Sequence, residues 1–246
     1  MEINLSAKEL LEKVYSRKVK SLNIVHNGKE ETYKVTLDGM GQLKTSHGEF
    51  WIYYFLIDDE WADYYCLVKC EELDEDFFPI FKNKKYLAIR TDSGCKTGHV
   101  FGDLTCDCGG QLSMAMKTIN ENKEGMMVHI PNQDGRGRGI RFKLATLMLQ
   151  NFKGMDTIQS ANFVNENYKL NKNIDIRTYA GIPLILKFFN IKGIDIGIAT
   201  SNPSKRDIFK ENGYNIIKTL SSCVEPTELT KHHLSAKREY FDALNR

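Results

Sequence analysis

Residues 90–110 read RTDSGCKTGHVFGDLTCDCGG. Three cysteines, Cys95, Cys106 and Cys108, stand here in the pattern C-x10-C-x-C. A structural zinc site takes four protein ligands, whereas a catalytic one takes three and keeps a position for water. Three clustered thiols therefore point to a metal with an open coordination position, and ordinary buried thiols are the alternative that spacing leaves standing. The flanks set the local fold. KYLAIRTD (85–92) is a strand that carries Arg90 to the edge of the cysteine stretch. QLSMAMKTINENKEG (111–125) places Leu112, Met116 and Ile119 at helical spacing, so a helix is expected just beyond Cys108. Its methionines read as core packing.

Downstream, GMMVHIP (125–131) is a buried strand, with His129 read as a satisfied core histidine. NQDGRGRGIR is a glycine and arginine loop, and FKLATLMLQNF (142–152) an apolar helix. A polar segment, NENYKLNKNIDIRTYAG, leads to a helix over PLILKFFNIKG, and IDIGIATSNPSKRDIFKENGYNIIK reads strand, loop, helix, strand. Upstream, residues 5–18 form a short helix with Ser6 as its cap. From about Leu22 to Cys70, aromatic and β-branched runs with an Asn-Gly turn signal predict strands. Residues 71–84 read as a connecting loop. Strands and helices mixed in this way predict an α/β or α+β layered domain.

The chain has 246 residues, 41% hydrophobic and 27% charged, which suits one large or two modest soluble domains. A formal charge of +2 gives no basis for non-specific nucleic-acid binding. No apolar run reaches the roughly 18 residues of a membrane span, and the polar amino terminus lacks the apolar core of a signal peptide. Six cysteines at this length do not suggest a disulfide framework, and a reducing cytoplasm is the expected location. Cys66 and Cys70, in an aromatic run, read as core thiols. Cys223 receives no role.

The cysteine stretch, NQDGRGRG, the DIR tripeptide at 175–177 and TSNPSK at 200–205 occur in the order found in GTP cyclohydrolase II, and the chain resembles that family from about Gly41 to Thr219. The resemblance implies an α+β (α/β layered) fold with a mixed sheet and flanking helices. It divides the chain into an amino-terminal extension, 1–40, and a catalytic domain, 41–246. It further implies a homodimer that opens the imidazole ring of GTP at C8, releasing formate and pyrophosphate.

By that resemblance Cys95, Cys106 and Cys108 hold one Zn2+ per subunit, lowering the pKa of the attacking water, and Mg2+ accompanies the triphosphate. Arg90, Thr91, Asp92, Ser93 and Gly94 match the family's triphosphate-contacting segment. Gln111, Asp134, Gly135, Arg136, Thr157, Thr200 and Lys205 match further substrate-contacting positions. Asp175 and Arg177 match the proposed general base and nucleophile. A carboxylate beside the arginine suits the first role, and a purely electrostatic role for Arg177 is the alternative, because guanidinium stays protonated.

Departures from the family gather at the same place. Leu147 stands where the family has a tyrosine; a one-residue slip gives Met148, and Tyr168 or Tyr179 are substitutes in space. Gly94 replaces a glutamate, His99 an aspartate, and Asp134 a glutamate, while Arg138 adds a charge. These suggest a paralogue that keeps the formyl group after ring opening or takes another purine nucleotide. A reading of a different class is a non-catalytic nucleotide- or RNA-binding protein with structural zinc.

Overall fold

The computed structural model describes residues 3–58, 62–82, 85–170, 173–200, 202–221 and 224–244; Cys223 and Ser201 of the TSNPSK loop lie outside them. The helix α1 (Ala7–Tyr15) is capped by Ser6, whose hydroxyl and backbone exchange hydrogen bonds with Glu9 in a capping box. Four antiparallel strands follow: β1 (Lys18–His26), β2 (Lys29–Thr45), β3 (Gly48–Ile57) and β4 (Ala62–Lys69). Strand structure thus starts four residues before the expected Leu22. Asn27 and Gly28 both have positive φ, as the tight hairpin between β1 and β2 requires. The expected loop at 71–84 contains a small hairpin, β5 (Glu72–Leu73) with β6 (Pro79–Ile80).

The chain continues through β7 (Leu87–Ser93), α2 (Lys96–His99), α3 (Cys108–Glu121), β8 (Gly125–Ile130) and α4 (Ile140–Lys153). It then forms α5 (Thr157–Asn167), α6 (Gly181–Phe188), β9 (Ile196–Ile198), α7 (Pro203–Glu211), β10 (Ile216–Thr219) and α8 (Lys231–Leu244). Helix α3 starts at Cys108 itself rather than beyond it. Helix α5, absent from the sequence reading, is capped by Asp156 and Gln159 in a second capping box.

The sheet order is β1-β2-β3-β4-β8-β7-β9-β10. Pairing is antiparallel as far as β4 and β8, then parallel through β7, β9 and β10. This is a mixed sheet in an α+β layered fold. Helix α6 covers one face, its Ile182, Leu184, Ile185, Leu186 and Phe188 fully buried against Tyr53, Phe55 and Val128. Each such side chain contributes about 1.5–3 kcal/mol of burial. Helix α3 covers the other face, with Ala115 and Ile119 against Phe50, Leu67 and Met127. Phe142, Ala161, Val164 and Ile174 form a smaller core with Tyr240 of α8 packed on it. Cys66 lies fully buried on β4, and Cys70 is half-buried just past its end. Residue 40, the expected edge of the extension, falls inside β2.

Candidate active site

The motifs scattered along the sequence meet because β7, β8 and β9 are parallel neighbours, and the loops after them leave from the same edge. Ligands in such sheets bind beyond the carboxyl ends of the strands. Strand β7 delivers the cysteine stretch, β8 the glycine and arginine loop, and β9 the loop containing Thr200.

Gly94 joins the first two: its N–H donates to Ile130 O at 2.7 Å and its carbonyl accepts from Gln133 N at 3.1 Å. A Cβ here would lie 2.8 Å from Ile130 O and 3.0 Å from His129 Nε2. That explains glycine at this position. Just beyond, the cysteine sulfurs converge, all within 4.8 Å of one another, with Cys95 and Cys106 3.8 Å apart. Hydrogen bonds from Cys106 and then Cys108 hold the Cys95 thiol far below its ordinary value. Hydrogen bonds to Cys106 and Cys95, with burial, push Cys108 well up. Holding all three as thiolates takes a cation between them, so the cluster could bind a metal.

A second group, Asp92, His99 and His129, also converges. Here the His129 Nδ1–Asp92 Oδ2 distance is 2.7 Å. Two ligands on one metal at about 2.0–2.2 Å stand farther apart than that, so this contact is a hydrogen bond. Burial would raise the Asp92 carboxyl, but the His129 hydrogen bond and Arg90 charge bring it below its usual value. The expectation of a satisfied His129 holds. His99 Nδ1 accepts from Cys95 N at 3.4 Å, and its Nε2 lies 3.2 Å from Cys108 O, so the ring braces the backbone of two sulfur donors.

In the glycine and arginine loop, Arg136 has φ +61° and donates to Thr157 O at 3.2 Å. Gly137, at φ +87°, lies where a Cβ would stand 3.1 Å from Arg177 Cγ, so the loop packs directly on the 175–177 segment. Ile176 N donates to Arg136 O at 3.1 Å. Asp134 is buried and accepts from Lys96 N through Oδ1 at 2.8 Å. Its Oδ2 makes no hydrogen bond. Arg177 grips Asp175 with two nitrogens, Nε to Oδ1 at 2.8 Å and Nη2 to Oδ2. Burial alone would lower the Arg177 pKa; the Asp175 carboxylate reverses this and raises it.

Arg90, buried, donates Nη1 to Ala199 O at 2.9 Å and Nη2 to Gln111 Oε1 at 2.8 Å. Lys205, in the first turn of α7, donates to Thr91 O at 2.9 Å. Burial, then Arg90 and Arg177, pull its pKa well below the ordinary value. Cations crowded in this way suit an anionic occupant. The cavity between these groups measures about 530 Å³, within the range of small-molecule sites.

The cavity is lined by Arg90, Asp92, Ser93, Gln111, Asp134, Gly135, Arg136, Thr157, Arg177, Thr200, Lys205 and the three cysteines. Thr91, Gly94 and Asp175 stand behind it, each supporting a group that lines it. From α4 the cavity receives Lys143, Thr146 and Gln150, whereas Leu147 is outside the lining. Tyr168 is exposed. Tyr179 is buried, its hydroxyl 3.5 Å from Asn202 Nδ2 and its ring 5.2 Å from Lys205 Nζ, making it the better placed of those two phenols. Sequence reading missed Asn202, a helix cap, and all of α8, whose His233, Leu234, Lys237 and Phe241 reach the cavity.

A thiol cluster able to take a metal, opening on a cation-lined cavity, defines an enzyme class that binds an anionic small molecule. The family model for GTP cyclohydrolase II matches residues 38–221, and the chain belongs to that family. It is 31% identical over 198 residues to GTP cyclohydrolase-2 of Picrophilus torridus, covering 80% of this chain and 93% of that one. Identity is 33% over 156 residues with GTP cyclohydrolase-2 of Acinetobacter baumannii, covering 63% and 73%. With the riboflavin biosynthesis protein RibBA of Endomicrobium trichonymphae it is 34% over 160 residues, 65% of this chain but 37% of that longer one.

Proposed function

We propose that this chain opens the imidazole ring of GTP at C8 and releases pyrophosphate and formate, leaving a diaminopyrimidine ribosylamine phosphate for riboflavin synthesis. The observation that carries the reading is Gln111, which sits between the thiol cluster and the cationic wall and contacts Arg90. A guanine edge at Gln111 puts the imidazole side toward the sulfurs and the phosphates toward the arginines.

Tetrahedral zinc with Zn–S of about 2.3 Å requires sulfurs about 3.8 Å apart, and Cys95 and Cys106 stand at 3.8 Å. Zinc held by Cys95, Cys106 and Cys108 would supply Lewis acidity that activates water near neutral pH. Arg90, Arg136 and Lys205 bind the triphosphate with its Mg2+, and Thr157 and Thr200 add hydroxyls. Asp134, with Oδ1 on Lys96 N and Oδ2 3.8 Å from Lys96 Nζ, ties the cysteine stretch to the glycine and arginine loop beside the substrate. Asp175 keeps Arg177 protonated and oriented, which supports an electrostatic role for Arg177 on the departing pyrophosphate over attack by its nitrogen.

A second reading, ring opening with the formyl group retained, draws on α4, which presents Thr146 to the cavity and no phenol. The RNA-binding reading loses support from the inward-facing Arg136 and from Arg138, which donates to Asn173 O at 2.6 Å.

We further propose a cytoplasmic homodimer in which residues 1–40 extend a catalytic domain of 41–246. Ile140, Leu144, Met148 and Phe152 form an exposed apolar row at four-residue spacing on α4, suited to a subunit contact. Among the described residues no helix is long and apolar enough to cross a membrane. Incubation of zinc-loaded protein with GTP and Mg2+, with pyrophosphate and formate assayed together, tests the activity. Equal amounts of both per GTP consumed support it, and intact GTP rejects it.

A further inference from the structure

Helix α8 lies outside the residues matched by the family model, yet it touches both sides of the cavity. On one side Lys237 Nζ donates to Asp107 Oδ1 at 2.6 Å. On the other, Tyr240 packs on the core beneath α4 and α5, and Arg136 lies 5.9 Å from its ring centroid. Thr227 and Thr230 hold the start of the helix through paired hydroxyl and backbone hydrogen bonds, with Thr230 buried.

Asp107 stands at the N-cap of α3, where an aspartate ordinarily accepts from the first free helix N–H groups. It makes no such cap here. Its carboxylate is turned aside, with Oδ1 on Lys237 and Oδ2 accepting from Gln111 Nε2. Gln111 Oε1 in turn accepts from Arg90 at 2.8 Å. The amide of Gln111 is therefore fixed at both ends, leaving one N–H and one lone pair for a ligand. Within α3 Asp107 meets the Gln111 side chain but no free backbone N–H, so Lys237 is its charged anchor from outside the helix. Loss of that anchor leaves the carboxylate free to cap the helix N-terminus instead.

We infer that Lys237 is a positioning residue for base recognition: by holding Asp107 it fixes the Gln111 amide, so that α8 sets the selectivity of the cavity for its purine. The inference rests on the proposed placement of the purine edge at Gln111.

The test compares binding of a non-hydrolysable GTP analogue with binding of inorganic tripolyphosphate, by calorimetry on the metal-loaded full chain. Lys237→Met should weaken the nucleotide roughly tenfold, as loss of a charge-assisted hydrogen bond implies, and leave tripolyphosphate unchanged. Lys237→Arg should restore affinity. In a Gln111→Ala background Lys237→Met should have no further effect, because both act through one amide. Should Lys237→Met fail to fold, Asp107→Ser, which keeps a helix-capping hydroxyl without the carboxylate, should give the same selective loss. Equal weakening of both ligands, unchanged nucleotide affinity, or additivity with Gln111→Ala overturns the inference. Wild-type protein that binds tripolyphosphate but not the nucleotide overturns the functional reading and this inference with it.

Discussion

Arg177 Nε donates to Asp175 Oδ1 at 2.8 Å while Nη2 holds the second oxygen, so the guanidinium reaches the cavity with its orientation set from behind. Lysine can keep the charge at this position but cannot make the two-pronged grip. Arg177→Lys should therefore lower kcat about a hundredfold, the range for losing one oriented donor to developing charge, with a smaller change in KM. Steady-state kinetics on GTP would show this. Equal kcat for Lys and Arg would contradict the role assigned to the fork.

The same pair predicts a pH dependence of stability. Burial would raise the Asp175 carboxyl, but the hydrogen bond and charge of Arg177 hold it below its ordinary 3.8. Below about pH 4 the unfolded chain takes up the proton first. The contribution is thus complete above that pH and is lost as pH falls through the lower folded value. Urea midpoints between pH 3 and 6 should fall on acidification. Arg177→Met should shrink this local contribution, because burial then opposes only the Arg136 charge and the backbone N–H of residue 177.

Metal removal should loosen the segment between β7 and α3, since the three sulfurs tie Cys95 to the first turn of α3. One zinc per chain is expected by elemental analysis, with loss in Cys95→Ser. Chelation should lower Tm by about 4 °C or more, equivalent to roughly 1 kcal/mol or more for a domain of this size.

At Gly94 a side chain has no room. Gly94→Ala should destabilise by about 1–3 kcal/mol through overpacking against Ile130 O, and Gly94→Glu by more. Denaturant unfolding measures both.

The apolar row on α4 predicts the subunit contact. For the proposed homodimer, Leu144→Glu with Met148→Glu should sediment as a monomer where the unaltered chain sediments as a dimer, because charges enter a desolvated interface. An unchanged mass would contradict this contact.

Much of this arrangement was legible in the sequence because its signals were local. The aromatic and β-branched runs gave β3 and β4, the Asn27-Gly28 pair marked a hairpin, and C-x-C beside a strand located the thiol cluster. Helix α5 went unread although Asp156 and Gln159 form its capping box and Ile158, Ala161 and Val164 recur at three-residue spacing. Its polar composition masked that pattern. Helix α8 went unread although Leu234, Lys237 and Phe241 recur at helical spacing; its place at the cavity depends on Lys237 meeting Asp107, 130 residues away in sequence. The diversion of Asp107 from its helix cap is visible only in three dimensions.

The most direct measurement follows GTP labelled with carbon-13 at C8, incubated with the zinc-loaded protein and Mg2+, by carbon NMR. The account predicts that the purine C8 resonance disappears as labelled formate grows in equal amount. A formamide resonance in place of formate would establish the reading in which the second hydrolysis is missing. A C8 signal that persists in an intact purine, with the metal in place, would contradict ring opening at this cavity.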